Sequence, residues 1–261
     1  MLKSPQITIL AGPCMLESLE MALEVGQKMK TMCAKLGFEY VFKSSFDKAN
    51  RTSATGVRGP GLEKGLQQLA RVKEKLGVPL VTDLHEAWQV PLVSEVVDIL
   101  QIPAFLSNDP LLLPACAASQ KIIHLKKGQH QSVEKLLAVA QSLRELGSKE
   151  VWICERGTAY GYQNLVVDFR NLNNMLNSPF RTVYDCTHSL MLPGAATGAS
   201  SGLRQHIHPL AMAAGAVGVR TFFMEVHPNP SQALSDSATQ MTPEQALHLL
   251  TDLLRLLPPA V

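Results

Sequence analysis

The residues of this chain best equipped for chemistry fall into two sets. The first is the run Lys43-Ser44-Ser45-Phe46-Asp47-Lys48-Ala49-Asn50-Arg51-Thr52-Ser53. Its three cations, Lys43, Lys48 and Arg51, are interleaved with Asn50 and the hydroxyls of Ser45, Thr52 and Ser53. Together they can offer charge-assisted donors to more than one anionic oxygen cluster. Tyr40-Val41-Phe42 before the run is aromatic and β-branched like a buried strand, and Gly56-Val57-Arg58-Gly59-Pro60-Gly61 after it breaks the chain ahead of the next helix. The cations therefore stand where a strand ends. Because the run lacks helical periodicity, a phosphate or carboxylate pocket is expected in place of a solvated face. Lys126, Lys127, Arg156 and Arg204 extend this cationic set; Arg156, in Cys154-Glu155-Arg156-Gly157, is a candidate bidentate clamp with Glu155 as its structural partner.

The second set is Cys14, His188, Glu225 and Asp236. A soft thiolate, an imidazole and two carboxylates suit a divalent transition ion such as Zn²⁺, Fe²⁺ or Mn²⁺, with a position left for water or substrate. A single strand-end cysteine is more often a small core hydrophobe, so this set has meaning only if the fold gathers it. Cys33, Cys116, Cys154 and Cys186 read as core, and of His85, His124, His130, His206, His208, His227 and His248 most read as structural.

The elements that must position these residues alternate regularly. Apolar, β-branched segments predict strands at Ile7–Leu10, Tyr40–Phe46, Pro79–Leu84, Val97–Ile102, Lys121–Lys126, Val151–Cys154, Arg181–Cys186 and Arg220–Val226. Each is followed by a predicted helix: Glu17–Leu36, Leu62–Leu76, Ala87–Val93, Leu111–Ala118, Val133–Leu146, Val167–Leu176, Leu203–Ala214 and Pro243–Leu257. Returns from helix to strand are short and often carry glycine, as helix C-caps do, whereas several strand-to-helix connections are long. Eight such units predict a (β/α)₈ TIM barrel of class α/β, one domain over 1–261, with its chemistry at the C-terminal ends of the strands. A doubly wound open sheet is the competing architecture, but no Gly-x-Gly-x-x-Gly turn follows the first strand. In a closed barrel the first, seventh and eighth units adjoin, which brings Cys14 toward His188, Glu225 and Asp236. Polar groups at the other strand ends, including Asp83, His85, Gln101 and Asp185, converge on the same mouth.

The 261 residues are 46% hydrophobic and 18% charged, which suits a large core, and the net charge of +2 supplies no general field for nucleic acid or an anionic membrane. No apolar run reaches the ~20 residues of a membrane span. With no apolar leader at the start, a cytoplasmic location is expected. The five scattered cysteines form no Cys-x-x-Cys pair, against both a disulfide framework and a zinc knuckle.

Motifs throughout the chain resemble those of the 3-deoxy-manno-octulosonate 8-phosphate synthase family. They are Ala11-Gly12-Pro13-Cys14 with Glu17-Ser18, Lys43 to Ser53, Gly59-Pro60-Gly61-Leu62, Thr82-Asp83-Leu84-His85-Glu86 and Gln101-Ile102-Pro103-Ala104-Phe105-Leu106. Lys126-Lys127-Gly128-Gln129, Glu155-Arg156-Gly157, Asp185-Cys186-Thr187-His188-Ser189 and Met224-Glu225-Val226-His227-Pro228 continue the series. The resemblance implies a barrel, usually a homotetramer, that condenses phosphoenolpyruvate with arabinose 5-phosphate for lipopolysaccharide synthesis. By that resemblance Lys43, Lys48, Lys126 and Arg156 hold phosphoenolpyruvate, with Ser45, Gln101, Ala104 and Phe105 as further substrate-binding residues. Asn50, Arg51, Thr52 and Ser53 hold the acceptor's phosphate. Cys14 marks the metal-dependent kind, with His188, Glu225 and Asp236 as co-ligands, and Lys48, Asp83, His85 and Asp236 are the candidate catalytic residues.

Two departures stand out. After Leu106 the family usually continues Arg-Gln-Thr-Asp-Leu, where this chain has Ser107-Asn108-Asp109-Pro110-Leu111, and Met191 replaces a Gln three residues after His188. Losing an Arg–phosphate contact costs on the order of 1.5–3 kcal/mol. A synthase using another aldose phosphate, such as erythrose 4-phosphate, is therefore the first alternative, and a non-catalytic sugar-phosphate-binding barrel the second.

Overall fold

The alternation of short apolar strands and helices closes on itself. The structure, a computed structural model, describes residues 6–49, 57–161, 163–193 and 201–257. Eight parallel strands form the barrel: β1 (Thr8–Gly12), β2 (Glu39–Lys43), β3 (Leu80–Asp83), β4 (Ile99–Ile102), β5 (Ile122–Lys126), β6 (Glu150–Glu155), β9 (Arg181–Asp185) and β10 (Thr221–Glu225). In the loop after β6, β7 (Thr158–Ala159) and β8 (Leu165–Val166) pair as a small antiparallel ribbon. Closure comes from β1, which pairs with β2 on one side and β10 on the other. The expected (β/α)₈ barrel is thus the fold, and the open sheet is excluded.

Among the described residues eight α-helices surround the strands: α1 (Leu19–Leu36), α2 (Leu62–Leu76), α3 (Val90–Val96), α4 (Leu112–Ala118), α5 (Val133–Glu145), α6 (Phe169–Leu176), α7 (Ile207–Val217) and α8 (Pro243–Leu256). Their ends follow local chemistry. The Ser18 hydroxyl accepts from the Met21 amide and starts α1 two residues later than its apolar pattern suggests. Gly37, at φ 72°, ends that helix by donating to Ala34 and Cys33 carbonyls. Thr242 and Gln245 form a capping box on α8.

Strand residues alternate between two apolar clusters. Leu10, Val41, Val81, Ile99, Trp152, Cys154, Val183 and Phe223 fill the barrel interior. Their neighbours, such as Ile9, Ala11, Tyr40, Phe42, Leu80, Leu100, Ile153, Tyr184, Phe222 and Met224, pack outward under the helices. Cys33, Cys116 and Cys186 lie in the outer cluster and Cys154 in the inner one, in keeping with their reading as core.

Several boundaries shift from the sequence expectation. β2 stops at Lys43 instead of Phe46, because β3 pairs only with Phe42 and Lys43; Ser45 turns instead to a bridge with Met15. Val97 closes α3 by donating to the Val93 carbonyl, so β4 starts at Ile99. The seventh helix opens as a 3₁₀ turn, Arg204–His206, and becomes α-helical at Ile207. Among the described residues no helix is long and apolar enough to cross a membrane.

Candidate active site

The two-residue period that puts Val41, Val81, Ile99, Val183 and Phe223 inside puts Lys43, Asp83, Gln101, Asp185 and Glu225 inside one layer higher, at the C-terminal mouth. Gly12 occupies the equivalent place on β1. A Cβ there would fall on the Lys43 carbonyl oxygen, so only glycine lets β1 approach β2 this closely. All of these polar side chains are buried.

On one side of the mouth the groups are linked in series. The Lys43 ammonium lies 3.1 Å from Ser45 Oγ and 3.3 Å from Glu225 Oε1, and Lys48 Nζ donates to the same Ser45 hydroxyl at 2.9 Å. Ser45 donates to Asp83, whose other oxygen lies 3.3 Å from His85 Nε2. His85 sits between aromatic rings, edge-on to Phe46 and parallel to Phe105 at centroid distances of 6.1 and 6.3 Å. Burial opposes the charges of both Asp83 and Lys48, yet each is held ionised by the other's side of the network. Lys43, Lys48 and His85 keep the Asp83 carboxyl well below its usual range, while Cys14, Asp83, Glu225 and Asp236 raise the Lys48 ammonium.

Across the mouth, Lys126 is paired with Asp185 and stands over the Phe223 ring, 3.3 Å from its centroid. Asp185 also accepts from the amides of Thr187 and His188 and from the Thr187 hydroxyl, and its Oδ2 lies 2.9 Å from His188 Nδ1. This carboxylate orients the imidazole so that Nε2 faces Glu225 Oε1 at 3.6 Å and Asp236 Oδ2 at 3.8 Å. Against burial, His188 and Lys126 hold Asp185 well below the ordinary carboxylate range. Arg156 is buried, with Nη1 lacking any acceptor and Nη2 3.8 Å from the Met191 sulfur. Desolvation therefore depresses its pKa.

The second set also converges. Cys14, Glu225 and Asp236 offer donor atoms within 4.8 Å of one another, and Cys14 Sγ lies 3.2 Å from Asp236 Oδ2. Burial, then Asp236 and Glu225, push the Cys14 thiol well up, against the lowering pull of Lys48 and Lys43. Glu225 Oε2 is buried without a hydrogen-bond partner. A thiol and two carboxylates with donor atoms this close, one oxygen of them buried and unpaired, form a donor set that fits a divalent transition ion, with the His188 imidazole beside the two carboxylates.

A model of the DAHP synthetase I family matches residues 3–256. The chain belongs to the DAHP synthetase I family. Among its curated relatives, the 2-dehydro-3-deoxyphosphooctonate aldolase of Desulfotalea psychrophila is 47% identical over 249 residues, covering 95% of this chain and 89% of that protein. The protein of that name from Fusobacterium nucleatum is 45% identical over 236 residues, with 90% and 85% coverage. The one from Magnetococcus marinus is 47% identical over 251 residues, with 96% and 87% coverage.

Within this DAHP synthetase I barrel, the site residues expected from sequence are gathered at one mouth wherever the structure describes them, except Lys127, which turns outward to Glu155, the Gly157 carbonyl and the Thr158 hydroxyl, and Arg204, which donates to the Ser237 carbonyl; Asn50, Arg51, Thr52 and Ser53 lie outside the described residues. Gln101 is buried at the mouth with its Oε1 unpaired, and Ala104 and Phe105 form a 3₁₀ turn above it. An expected pairing is corrected as well. Glu155 is not the partner of Arg156: adjacent strand residues face opposite sides, so Glu155 turns outward to Lys127 at 3.4 Å and to the Gly157 amide at 2.7 Å. The two departures also have local roles. Asn108 Oδ1 accepts from Gln131, and Asp109 Oδ1 accepts from the Leu111 and Leu112 amides ahead of α4. Sequence reasoning missed two contributors and the role of a third. Phe223 is the floor beneath Lys126, 5.3 Å from Lys43 and 5.5 Å between ring centroids from His188. Asp185 is the orienting group of His188, readable as an Asp-x-x-His pair. Gln240 ties the Cys14 and Asp236 loops together by accepting from the Cys14 amide and donating to the Ser235 carbonyl.

Proposed function

We propose that this chain condenses phosphoenolpyruvate with arabinose 5-phosphate and water, giving 3-deoxy-manno-octulosonate 8-phosphate and inorganic phosphate, in lipopolysaccharide precursor synthesis. The relatives' name describes the same eight-carbon 2-oxo-3-deoxy acid phosphate, and the chain is an aldol-type synthase. The carrying observation is the meeting of Lys43, Lys48, Lys126 and Arg156 with Cys14, His188, Glu225 and Asp236 at one barrel mouth.

The bookkeeping of atoms is simple. The methylene carbon of phosphoenolpyruvate bonds to the aldehyde carbon of the acceptor, the aldehyde oxygen takes a proton, water supplies the new oxygen at C2, and phosphate leaves by C–O cleavage. Lys43, Lys48, Lys126 and Arg156 neutralise the carboxylate and phosphate and fix the methylene's direction. The unpaired Arg156 Nη1 makes it the strongest anion clamp of the four. Ser45, held by Lys43, Lys48 and Asp83, aligns the acid–imidazole pair of Asp83 and His85, which orients water or acceptor hydroxyls. Cys14, His188, Glu225 and Asp236 would hold Zn²⁺, Fe²⁺ or Mn²⁺, which polarises an aldehyde or positions water when bound. Charge supports this reading: the four cations already face four carboxylates, Asp83, Asp185, Glu225 and Asp236, so two phosphorylated substrates need further positive charge.

A second acceptor is favoured by one feature. The turn at Ser107-Asn108-Asp109 carries no cation and is engaged with Gln131 and α4, so a different aldose phosphate, such as erythrose 4-phosphate, is the alternative. A cytoplasmic homotetramer completes the proposal. Trp88, Leu92, Phe105 and Leu111 are exposed around α3 and the start of α4, which supports burial of that face against another copy. The test is phosphate release from phosphoenolpyruvate with each aldose phosphate, with product mass, before and after chelation and with Mn²⁺ or Zn²⁺ restored. Release with arabinose 5-phosphate that disappears with chelator and returns with metal is expected. Release only with erythrose 4-phosphate replaces the acceptor, release that ignores chelator removes the metal, and no release with either sugar leaves only the binding barrel.

A further inference from the structure

On the outer wall, α7 and α8 bring a second donor set together. His208 of α7 faces His248 and Asp252 of α8, and the three offer ligand atoms within 4.8 Å of one another. His208 Nε2 is 2.9 Å and His248 Nε2 3.7 Å from the same carboxylate oxygen, Asp252 Oδ2. The two rings lie nearly parallel, 15° apart, with centroids 5.0 Å from each other. Asp252 Oδ1 is taken by Arg255 Nη1 at 2.9 Å, which fixes the carboxylate so that Oδ2 turns to the imidazoles.

A single hydrogen bond between helices explains His208 with Asp252. It does not explain why His248, one turn before Asp252 and 72% exposed, stacks on His208 with its Nε2 turned to the same oxygen. Donors around a tetrahedral ion with bonds of about 2.0–2.2 Å stand roughly 3.3–3.6 Å apart. The observed 2.9 and 3.7 Å bracket that spacing, so rotation of exposed side chains suffices to admit an ion. We propose that His208, His248 and Asp252 form a second metal site, a two-imidazole, one-carboxylate clip for Zn²⁺ or a similar borderline ion, with water completing the shell. The ion replaces the proton shared between His208 and Asp252 and ties α7 to α8, which in turn packs on α1 beside the closing seam of the barrel. The clip is independent of the synthase chemistry: it contains none of the mouth residues.

Zn²⁺ alone is the probe, titrated calorimetrically into the chelator-stripped full chain. The wild type should take up two ions, Cys14→Ala one, His248→Ala one and the double variant none. In Cys14→Ala, Zn²⁺ at a hundred times its measured dissociation constant should raise the unfolding midpoint by about 5–10 °C. Adding His248→Ala should abolish that rise while leaving the metal-free midpoint unchanged, because His208–Asp252 stays intact. Co²⁺ separates the sites by spectrum, since only the Cys14 site gives thiolate charge transfer. Zn²⁺ uptake or a midpoint rise in Cys14→Ala that survives His248→Ala overturns the clip, as does a Cys14→Ala chain that binds no ion. Uptake that is the same with and without Cys14 instead refutes Cys14 as a ligand at the mouth and leaves the clip standing.

Discussion

Replacing Arg156 should separate the interests of folding from those of the reaction. The guanidinium is buried, its Nη1 has no acceptor and its Nη2 meets only a methionine sulfur, so the folded chain bears an incompletely paired charge. A buried unsatisfied donor costs about 1–3 kcal/mol, and more when charged. Arg156→Met keeps the length, packs against Met191 and removes that cost. At about 2–4 °C per kcal/mol for a chain of this size, the unfolding midpoint should rise by roughly 2–12 °C. The same change deletes a charge-assisted contact to phosphoenolpyruvate worth about 1.5–3 kcal/mol, so kcat/KM for that substrate should fall by about 10- to 150-fold. Arg156→Lys, which keeps the charge but not the fork, should lie between the two. The assays are thermal unfolding and initial phosphate release with phosphoenolpyruvate varied at saturating acceptor. An Arg156→Met protein that melts earlier and keeps its KM for phosphoenolpyruvate within about threefold would refute the reasoning and make Arg156 a structural prop.

Other perturbations follow from the same contacts. Phe223→Leu removes the ring under Lys126 and Lys43; a desolvated cation–π contact of about 2 kcal/mol predicts a fall of roughly 30-fold in kcat/KM, read from phosphate release. Gly12→Ala drives a methyl group into the Lys43 carbonyl and should cost about 1–3 kcal/mol in denaturant unfolding, with loss of turnover because Lys43 moves. Gln240→Ala cuts the tie between the Cys14 and Asp236 loops, so the metal concentration needed for half-maximal activity should rise about tenfold or more; an unchanged requirement would show that the loops hold themselves.

The barrel was legible because each strand–helix unit carries its own signals: an apolar strand, an amphipathic helix and a glycine such as Gly37 to end it. Charged residues at strand ends, Lys43, Lys126 and Glu225 among them, could be read as one mouth because closure leaves them no other place. What escaped has physical causes. The β7–β8 ribbon has two residues on each side, too few for any period to register. Phe223 is one apolar residue among several in β10, and only the lysines above it distinguish it from Phe222. Glu155 and Arg156 are adjacent and of opposite charge, which suggests a pair along the chain; the pleat points them apart. The gap between Val97 and Ile99 was hidden because a valine that caps a helix looks like one that starts a strand.

The contact between Cys14 and Asp236 joins positions 222 residues apart, across the seam where the first strand meets the last. At about 5–20 residues per second, a ribosome delivers Cys14 roughly 10–45 seconds before Asp236 exists. Glu225 and His188 arrive almost as late. During that interval the thiol waits on an unclosed sheet, open to oxidants and to passing ions, with Lys43 and Ser45 beside it but none of its acidic neighbours made. Assembly of this centre is therefore among the last events in the life of the nascent chain, and a ribosome that stalls short of β10 releases a product with seven barrel strands and a bare cysteine.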